Sequence, residues 1–294
     1  MNKHAYLIIA HNDFEILKLL LTALDDERND IFIHFDAKCS DLPLLKCNNS
    51  NLYIIPNRID VRWGDYSQIE TEMLLFEFVH DIQIKKGLSY TYYHLLSGVD
   101  IPLKTQDYIH RFFNLHTGKE FLGFFQADVV VELKNKVQWY HLFPKDFSKV
   151  RQFNIKSLLR ALFCRIQSLI GFKRNDDLIL VRGTNWVSIT NDFVEFLLSK
   201  KEEIYKRFNH TFCADEVYKQ TLCWNSSFKK RIFNTTNEAI GCMREINWII
   251  TEDSSFLPSF TMADYKRLKE SPMLFARKFD TENIDVVKRI ISEL

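Results

Sequence analysis

Four short runs of apolar and aromatic residues recur in the first hundred positions of this chain, and helix-like segments follow the first and the third of them. The runs occupy residues 5–11, 31–36, 52–56 and 90–97. Each run is continuous rather than alternating, which is typical of strands that are buried on both faces. We therefore predict that all four runs form strands at the centre of one sheet.

The two intervening segments have the spacing of amphipathic helices. Apolar residues recur at helical intervals in 13–24 and in 67–82. The second segment begins at Ser67 and has Glu70 three residues later, which is the pattern of a capping box. The order strand, helix, strand, strand, helix, strand predicts an α/β fold with a mixed, mostly parallel sheet flanked by helices.

Two aspartates stand where the predicted strands end. Asp36 closes the second run, and Asp100 comes shortly after the fourth. Ligands of open parallel sheets bind outside the carboxyl ends of the strands, so both carboxylates are candidate site residues. No internal repeat and no linker rich in proline or serine divides the chain, and we predict a single domain over residues 1–294.

Charge and cysteine content exclude several classes of protein. The 39 Lys and Arg residues almost cancel the 38 Asp and Glu residues, so no overall field favours a nucleic-acid partner. The six cysteines form no CxxC pattern, which argues against a structural zinc site. The apolar run at the N-terminus is too short for a signal peptide or a membrane span. We expect a cytoplasmic protein with reduced thiols.

One segment departs from this balance of charge. Residues 145–175 contain eight Lys and Arg residues and a single acid, Asp146, while apolar residues keep helical spacing from Ile155 to Ile170. The favoured interpretation is an ordinary surface helix that packs its apolar stripe on the core. The alternative is peripheral contact with the inner face of the cytoplasmic membrane, since basic amphipathic helices bind anionic lipid surfaces.

Common catalytic motifs are missing from the sequence. It contains neither of the glycine-rich phosphate loops GxGxxG and GxxxxGK[ST], and neither GxSxG nor HExxH. It also has no DxD pair to hold Mg²⁺ or Mn²⁺ against a nucleotide-sugar diphosphate. A diphosphate bound here would need side-chain cations, and Arg244, Arg277 and Lys278 stand among apolar residues. Structural ion pairs are the alternative role of these cations.

Asp215 and Glu216 are two adjacent acids in the small, apolar and aromatic stretch 209–224. They fit the first turn of a helix, where acids meet free backbone amides and the positive end of the helix dipole. They equally fit a carboxylate at the rim of a pocket that transfers a proton.

Five stretches, taken in order, resemble the core 2/I-branching β-1,6-N-acetylglucosaminyltransferase family (glycosyltransferase family 14), which also includes peptide O-xylosyltransferase. Together they extend over nearly the whole chain, and the shared order is more specific than any single stretch. The stretches are HAYLIIAHNDFEILKLLLTAL with IFIHFDAK, VRWGDYSQIETEMLLFE, YYHLLSGVDIPLKTQDYIHRFF, GTNWVSITNDFVEFLL with ADEVYKQTL, and MREINW with LFARKFD.

The resemblance implies a GT-A type nucleotide-sugar fold and an enzyme that inverts the anomeric configuration of a UDP-sugar without a metal ion or other cofactor. It implies a glycan acceptor, or a lipid-linked oligosaccharide in a bacterial type of surface-polysaccharide synthesis. N-acetylglucosamine is the expected sugar and a β-1,6 linkage the expected product. The alternatives are an enzyme that uses UDP-xylose and a noncatalytic nucleotide or carbohydrate binder that has kept the fold.

The same resemblance assigns roles by position. The family's catalytic carboxylate corresponds to Glu216, although Cys213 and Ala214 replace the serine and proline of the usual SPDE spelling. Its two diphosphate-binding cations correspond to Arg244 and Lys278, of which Lys278 in ARKFD is the firmer match. Asp36 corresponds to the nucleotide-contacting end of the second strand, and His11 and Arg277 are further nucleotide-binding candidates.

Physical reasoning adds the remaining candidates. An inverting transfer needs a general base for the acceptor hydroxyl, and we predict Glu216 in this role, with Asp100 second and capping of the loop as the equal alternative for Asp100. Burial would raise the pKa of Glu216 and a helix N-terminus would lower it. The predicted substrate-binding residues are Trp63, Gly64, Gly98, Trp186 and Asp215, with core packing as the alternative for both tryptophans.

Overall fold

A computed structural model describes residues 3–125, 130–149, 154–248 and 257–294 of the chain. Within these ranges the chain alternates strands and helices along most of its length. The strands are β1 Lys3–Ala10, β2 Asn29–Phe35, β3 Asn51–Ile54, β4 Tyr90–Ser97, β5 Ile101–Pro102, β6 Ser188–Thr190, β7 Arg244–Ile246 and β8 Phe275–Arg277. The α-helices are α1 Phe14–Leu24, α2 Ser67–Lys86, α3 Gln106–Leu115, α4 Val130–Val137, α5 Ile155–Leu169, α6 Asn191–Ser199, α7 Lys201–Phe208, α8 Tyr218–Trp224, α9 Glu238–Cys242, α10 Tyr265–Glu270 and α11 Ile284–Ile291.

The main sheet has five strands in the order β3-β2-β1-β4-β6. The first four of these strands pair in parallel, and β6 pairs with β4 in the antiparallel direction. The predicted α/β class and the mixed, mostly parallel sheet are therefore confirmed. A second sheet of short strands, β5-β8-β7, was not predicted.

All four predicted strands form, but one of them is not central. Strands β1, β2 and β4 are almost wholly buried, as expected from their continuous apolar character. Strand β3 is the edge of the sheet and its residues are exposed or half-buried, so the prediction of a central position was wrong for it. An apolar run marks a strand without showing whether a neighbour covers each of its sides.

Two hydrophobic clusters cover the two faces of the main sheet. Alternate residues of β1 point to opposite sides, so that Tyr6 and Ile8 join the cluster formed with α1 and α11. Ala5 and Leu7 join the cluster formed with α2, α6 and α8. This layered arrangement leaves the ends of the strands, rather than their faces, free to build a site.

The predicted capping box at the start of α2 does not form. Ser67 is the first helical residue, and its hydroxyl accepts a hydrogen bond from the backbone amide of Arg62 at 2.8 Å. The amide of Ser67 donates instead to the carboxylate of Asp65 at 3.0 Å. Asp65, two residues before Ser67, thus accepts a hydrogen bond from a free amide at the start of the helix, where Ser67 was expected to act as the cap.

Helix α5 does not pack its apolar stripe on the core, contrary to the favoured interpretation of the basic segment. Its buried side chains are Arg160 and Gln167, whose polar groups bind backbone carbonyls of residues 140–143. The helix is therefore attached through polar atoms, and its apolar side chains point outward. These exposed residues, called the α5 face below, are Ile155, Leu158, Leu159, Leu162, Ile166, Leu169 and Ile170.

All six cysteines lie in the described ranges and carry free thiols. None of the described helices combines the length and the apolar character that crossing a bilayer requires. The single domain over residues 1–294 and the cytoplasmic location stay predictions.

Candidate active site

The carboxyl ends of β1, β2 and β4 meet at one edge of the main sheet, because these three neighbours run parallel. The amide of Asp36 donates to the carbonyl of Ala10 at 3.0 Å, and the amide of Gly98 donates to the carbonyl of Ile9 at 2.9 Å. A Cβ atom on Gly98 would lie 3.0 Å from the Cβ of Ala10. Glycine at position 98 thus lets the loop after β4 approach β1, while the substrate contact predicted for it stays a prediction.

The second sheet brings the late cations to this edge. Strand β8 pairs with β5 directly after the loop that holds Asp100, with Ile101 opposite Ala276. The guanidinium of Arg277 donates through Nε to Oδ1 of Asp100 at 3.2 Å. Asp100 and Arg277, which are 177 residues apart in the sequence, therefore form an ion pair at this edge.

Asp100 is buried and its carboxylate already has several donors. The hydroxyl and the amide of Ser97 both donate to it, in addition to Arg277. A carboxylate that accepts bonds from its own loop and from a neighbouring cation is well suited to position them. This geometry favours the loop-capping alternative for Asp100 over a role as general base.

Arg277 also covers one face of Trp186. The guanidinium carbon lies 4.5 Å from the centroid of the Trp186 ring, which is a cation–π contact. Trp186 also packs against the cluster beneath α2 and α6. With Arg277 on one face and the hydrophobic cluster packed against the ring, this geometry supports the core-packing alternative for Trp186.

His11, Asp36 and Lys278 converge at the same edge. Partial burial lowers the pKa of His11, the carboxylate of Asp36 opposes this effect, and the charges of Lys38 and Lys278 add to it. Asp36 accepts hydrogen bonds from the amide of Lys38 at 2.8 Å and from its amine at 2.7 Å. Lys278 is half-buried, and no residue in the described ranges pairs with its amine. Its charge acts on the nearby carboxylate of Asp280 as well as on His11.

Arg244 lies near Asp100 and Arg277 but is enclosed by the protein, and the diphosphate contact predicted for it stays a prediction. Its side chain is fully buried, and its guanidinium donates to the carbonyls of Cys242 and Val187, the second at 2.7 Å, and to the hydroxyl of Ser188 at 3.1 Å. Burial lowers the pKa of Arg244 to about 10. A cation enclosed in this way joins β7 to β4 and β6 and has no surface to offer a ligand.

Glu216 lies among cations in a partly enclosed position. Burial raises the pKa of its carboxyl, and the positive charges of Arg182, Lys136 and Arg277 oppose the increase. Of the two effects that sequence reasoning left open, burial outweighs the rest. The backbone is fixed as well, because the amide of Gly183 donates to the carbonyl of Glu216 at 2.9 Å.

Asp215 points inward, away from the exposed side of Glu216. It is 6% exposed, and burial, with Glu216 and Glu72 nearby, raises its pKa to about 8. The side-chain amide of Gln68 donates to it at 2.9 Å. This placement makes Asp215 an anchor for its loop, while the substrate contact predicted for it stays a prediction.

The loop of Trp63 and Gly64 supports the segment that carries Glu216. The carbonyl of Gly64 accepts a hydrogen bond from the amide of Cys213 at 2.9 Å. The ring of Trp63 packs edge-on against Phe212 with centroids 5.3 Å apart, and half of Trp63 remains exposed. These residues shape the site through the loop at 212–216, and the exposed part of Trp63 keeps a substrate contact open as a prediction.

Replacing Gly64 by alanine should lower both stability and activity. Gly64 has φ of +76°, and a Cβ atom there would lie 2.8 Å from the ring of Phe212. We expect a loss of about 1–2 kcal/mol in the free energy of unfolding, from the left-handed backbone alone. Urea denaturation of the variant and the wild type measures this loss in the free energy of unfolding. Gly118→Ala, also at positive φ but with open space around its Cβ, controls for backbone strain and should leave activity intact.

Sequence reasoning missed three charged neighbours of Glu216. Arg182 and Lys136 act on its pKa, and Glu238, at the start of α9, is influenced by Glu216 in turn. Burial, followed by the charge of Glu216, raises the pKa of Glu238 to about 7. A Cβ atom on Gly123 would lie 2.7 Å from Cγ of Glu238, so this glycine makes room for the carboxylate.

No group of three or more His, Cys, Asp or Glu side chains suited to hold a metal ion occurs in the part of the chain that the structure describes. The charged groups near Glu216 include the cations Arg182, Lys136 and Arg277. Metal independence stays a prediction.

Comparison with known proteins agrees with the resemblance read from the five stretches. The family model described as "Branch: Core-2/I-Branching enzyme" matches residues 4–286. Xylosyltransferase 2 of Rattus norvegicus is 21% identical over 302 residues, which cover 97% of this chain and 33% of that protein. The N-acetyllactosaminide beta-1,6-N-acetylglucosaminyl-transferase of Homo sapiens is 23% identical over 294 residues, which cover 94% of this chain and 68% of that protein.

The chain thus spans about a third of the length of the xylosyltransferases it matches and about two thirds of the human transferase. The family match extends over both sheets and over every residue of the site described above. Together with the mixed, mostly parallel sheet flanked by helices, which is consistent with a GT-A-like glycosyltransferase fold, these findings establish that the chain belongs to the core-2/I-branching enzyme family of glycosyltransferases.

Proposed function

We propose that this protein is an inverting glycosyltransferase that moves a sugar from a UDP-sugar to a hydroxyl of a glycan acceptor without a metal ion. The observation that carries the proposal is the environment of Glu216. Its carboxyl is partly enclosed, has a raised pKa and lies near Arg277, the residue before Lys278. This arrangement supports the proposal that a general base and a cation for the leaving group act in one site.

Glu216 acts as the general base in this mechanism. The acceptor hydroxyl oxygen forms a bond to the anomeric carbon while its proton passes to the carboxylate of Glu216. The bond between the anomeric carbon and the diphosphate oxygen breaks on the opposite face, and UDP leaves with the electron pair. Displacement in line converts the α-linked donor into a β-linked product.

Lys278 stabilises the departing diphosphate. Negative charge grows on the phosphate oxygens as the bond breaks, and a fixed cation at that place lowers the barrier. Arg277 is held by Asp100 and by Trp186, so its charge is fixed in position as well. His11 and Asp36, at the ends of β1 and β2, are the proposed contacts of the nucleotide.

N-acetylglucosamine is the proposed sugar, transferred in a β-1,6 linkage as in the name of the human relative. Xylose is the second candidate, and the matched xylosyltransferase 2 sequences favour it equally. The proposed acceptor is a glycan or a lipid-linked oligosaccharide of surface-polysaccharide synthesis, and the proposed location is the cytoplasm.

A panel of UDP-sugars tests the reaction. We expect release of UDP from one donor in the presence of EDTA, and Glu216→Gln should slow this release by about 10²-fold or more. A protein that binds UDP without turnover, in the wild type as in the variant, would favour a noncatalytic binder. Turnover that requires Mn²⁺ would refute the metal-independent mechanism.

The pH dependence of kcat/KM should report the titration of Glu216. Below its raised pKa the carboxyl is protonated and cannot accept a proton, so activity should fall at a pH above the usual value of about 4.3 for glutamate. Arg182→Gln should shift this fall to higher pH, because the charge of Arg182 lowers the pKa of Glu216. Initial rates at subsaturating acceptor between pH 4 and 9 give kcat/KM for the acceptor and measure the shift.

Lys200→Gln is the matched control, because it also removes one positive charge, at a partly exposed position between α6 and α7. It should leave the pH profile of kcat/KM unchanged. A fall in activity that moves to lower pH in Arg182→Gln, or that does not move, would show that another group controls the profile.

A further inference from the structure

The α5 face is an apolar surface that the described part of the chain leaves exposed. Leu158 and Leu162 are 56% and 52% exposed, and Leu169 is 77% exposed. Isolated exposed leucines are common on proteins, but seven aliphatic side chains on one side of one helix form a continuous patch. Such a patch indicates a binding surface.

The opposite side of the helix fixes this orientation. Arg160 donates through Nε to the carbonyl of Leu142 at 2.9 Å, and the side-chain amide of Gln167 donates to the carbonyl of Tyr140 at 2.9 Å. The side chain of Gln167 also accepts a hydrogen bond from the amide of Tyr140 at 2.9 Å. Rotation of α5 to bury its leucines would leave these buried polar groups unpaired, which is unfavourable.

The charges beside the patch are almost all positive. Lys145, Arg165 and Lys173 are exposed, and Lys156 is exposed although it shares an ion pair with Asp146. Residues 147–175 contain no Asp or Glu. Two copies of this surface facing each other would bring like charges together, whereas an anionic surface would complement them.

We propose that the α5 face inserts into the headgroup region of a bilayer that contains anionic lipids, and that the neighbouring Lys and Arg residues bind the lipid phosphates. A helix that lies in a membrane interface needs an apolar side, a basic flank and a firm attachment to the protein, and α5 has all three. The proposal does not depend on the reaction proposed above, since it rests on the surface alone.

A line of aromatic contacts connects this surface to the candidate active site. The guanidinium of Arg160 lies over the ring of Phe147 at 4.9 Å, and the rings of Phe147 and Phe212 are 5.0 Å apart. Phe212 precedes the segment that carries Glu216. Binding to a membrane would therefore place the loop of Glu216 near the lipid surface, where a lipid-linked acceptor resides.

Co-sedimentation with vesicles tests the proposal. We expect the protein to bind vesicles of phosphatidylglycerol and phosphatidylcholine and to bind pure phosphatidylcholine at least about tenfold more weakly. Leu158→Glu with Leu162→Glu should abolish binding, and Arg165→Gln with Lys173→Gln should weaken it by about tenfold or more. Sodium chloride at high concentration should weaken wild-type binding in the same way.

The matched control is Leu44→Glu with Ile84→Glu, which adds the same charges at exposed apolar positions outside α5. It should bind vesicles as the wild type does, and both glutamate pairs should keep the melting temperature of the wild type, because all four positions are exposed. Wild-type protein that fails to bind anionic vesicles would overturn the proposal. Concentration-dependent dimers that the α5 pair disperses, without vesicle binding, would instead identify a second copy as the occupant.

Discussion

Glu216→Gln should lower kcat by about 10²–10⁴-fold, the usual contribution of a positioned general base. Glutamine keeps the size of the side chain but cannot accept the proton of the acceptor hydroxyl. Because the residue is only partly enclosed, the substitution should leave the melting temperature nearly unchanged. Binding of UDP, measured by calorimetry, should persist in the variant, since the loss concerns the chemical step.

Two neighbouring substitutions are the controls for this result. Glu202→Gln removes a carboxylate from the exposed side of α7 and should have wild-type activity. Asp215→Asn keeps an oxygen to accept the bond from Gln68 and should lower kcat far less than Glu216→Gln does. Equal losses in Asp215→Asn and Glu216→Gln would contradict the assignment of Glu216 as the base.

Lys278→Gln and Arg244→Ala should separate a cation that acts on substrate from one that holds the fold. The amine of Lys278 forms no direct ion pair within the described residues, so its loss should lower kcat/KM by about 10²-fold with little change in stability. Arg244 is fully buried and donates to the backbone carbonyls of Cys242, at the end of α9, and of Val187, just before β6. Its replacement should lower the free energy of unfolding by on the order of 3 kcal/mol.

Lys266→Gln is the matched control for Lys278→Gln, because Lys266 is an exposed lysine of α10. It should leave both activity and stability at the wild-type level. Arg244→Ala that folds with wild-type stability and loses UDP binding would restore the role that the resemblance implied for Arg244. Full activity of Lys278→Gln would contradict the proposal that Lys278 stabilises the leaving group.

The fold of the first hundred residues can be predicted from the sequence, because each of the strands β1 to β4 is a continuous apolar run. The order of strands and helices up to β4 follows from periodicity, and only the edge position of β3 was misjudged. The second sheet was not readable, because β5, β7 and β8 have two or three residues each and too few for a period to show. Pairing of these strands is what brings Arg277 to Asp100.

Helix α5 shows the limit of an amphipathic pattern. Its spacing correctly predicts a helix, but the same pattern describes a stripe that faces the core and a stripe that faces outward. Arg160 and Gln167 decide between the two, because the carbonyls of residues 140–143 bind them. Those carbonyls come from another part of the chain, and no local rule connects them to the helix.

The roles of the site residues likewise depend on burial, which local sequence does not show. Glu216 has no local signal that separates a helix start from a catalytic carboxylate, and the raised pKa follows from burial that only the folded chain produces. Arg244 and Lys278 looked alike as cations among apolar residues, yet one is enclosed and the other is not. Burial of a single side chain depends on packing by residues distant in sequence, which periodicity does not report.

A crystal structure of Glu216→Gln with an intact UDP-sugar, grown in the presence of Mn²⁺, tests the central claim most directly. We expect a diphosphate oxygen within about 3.2 Å of the Lys278 amine, no manganese on the diphosphate, and residue 216 facing the anomeric carbon. A diphosphate bound through manganese, or lying at an edge of the protein that Lys278 cannot reach, would contradict it.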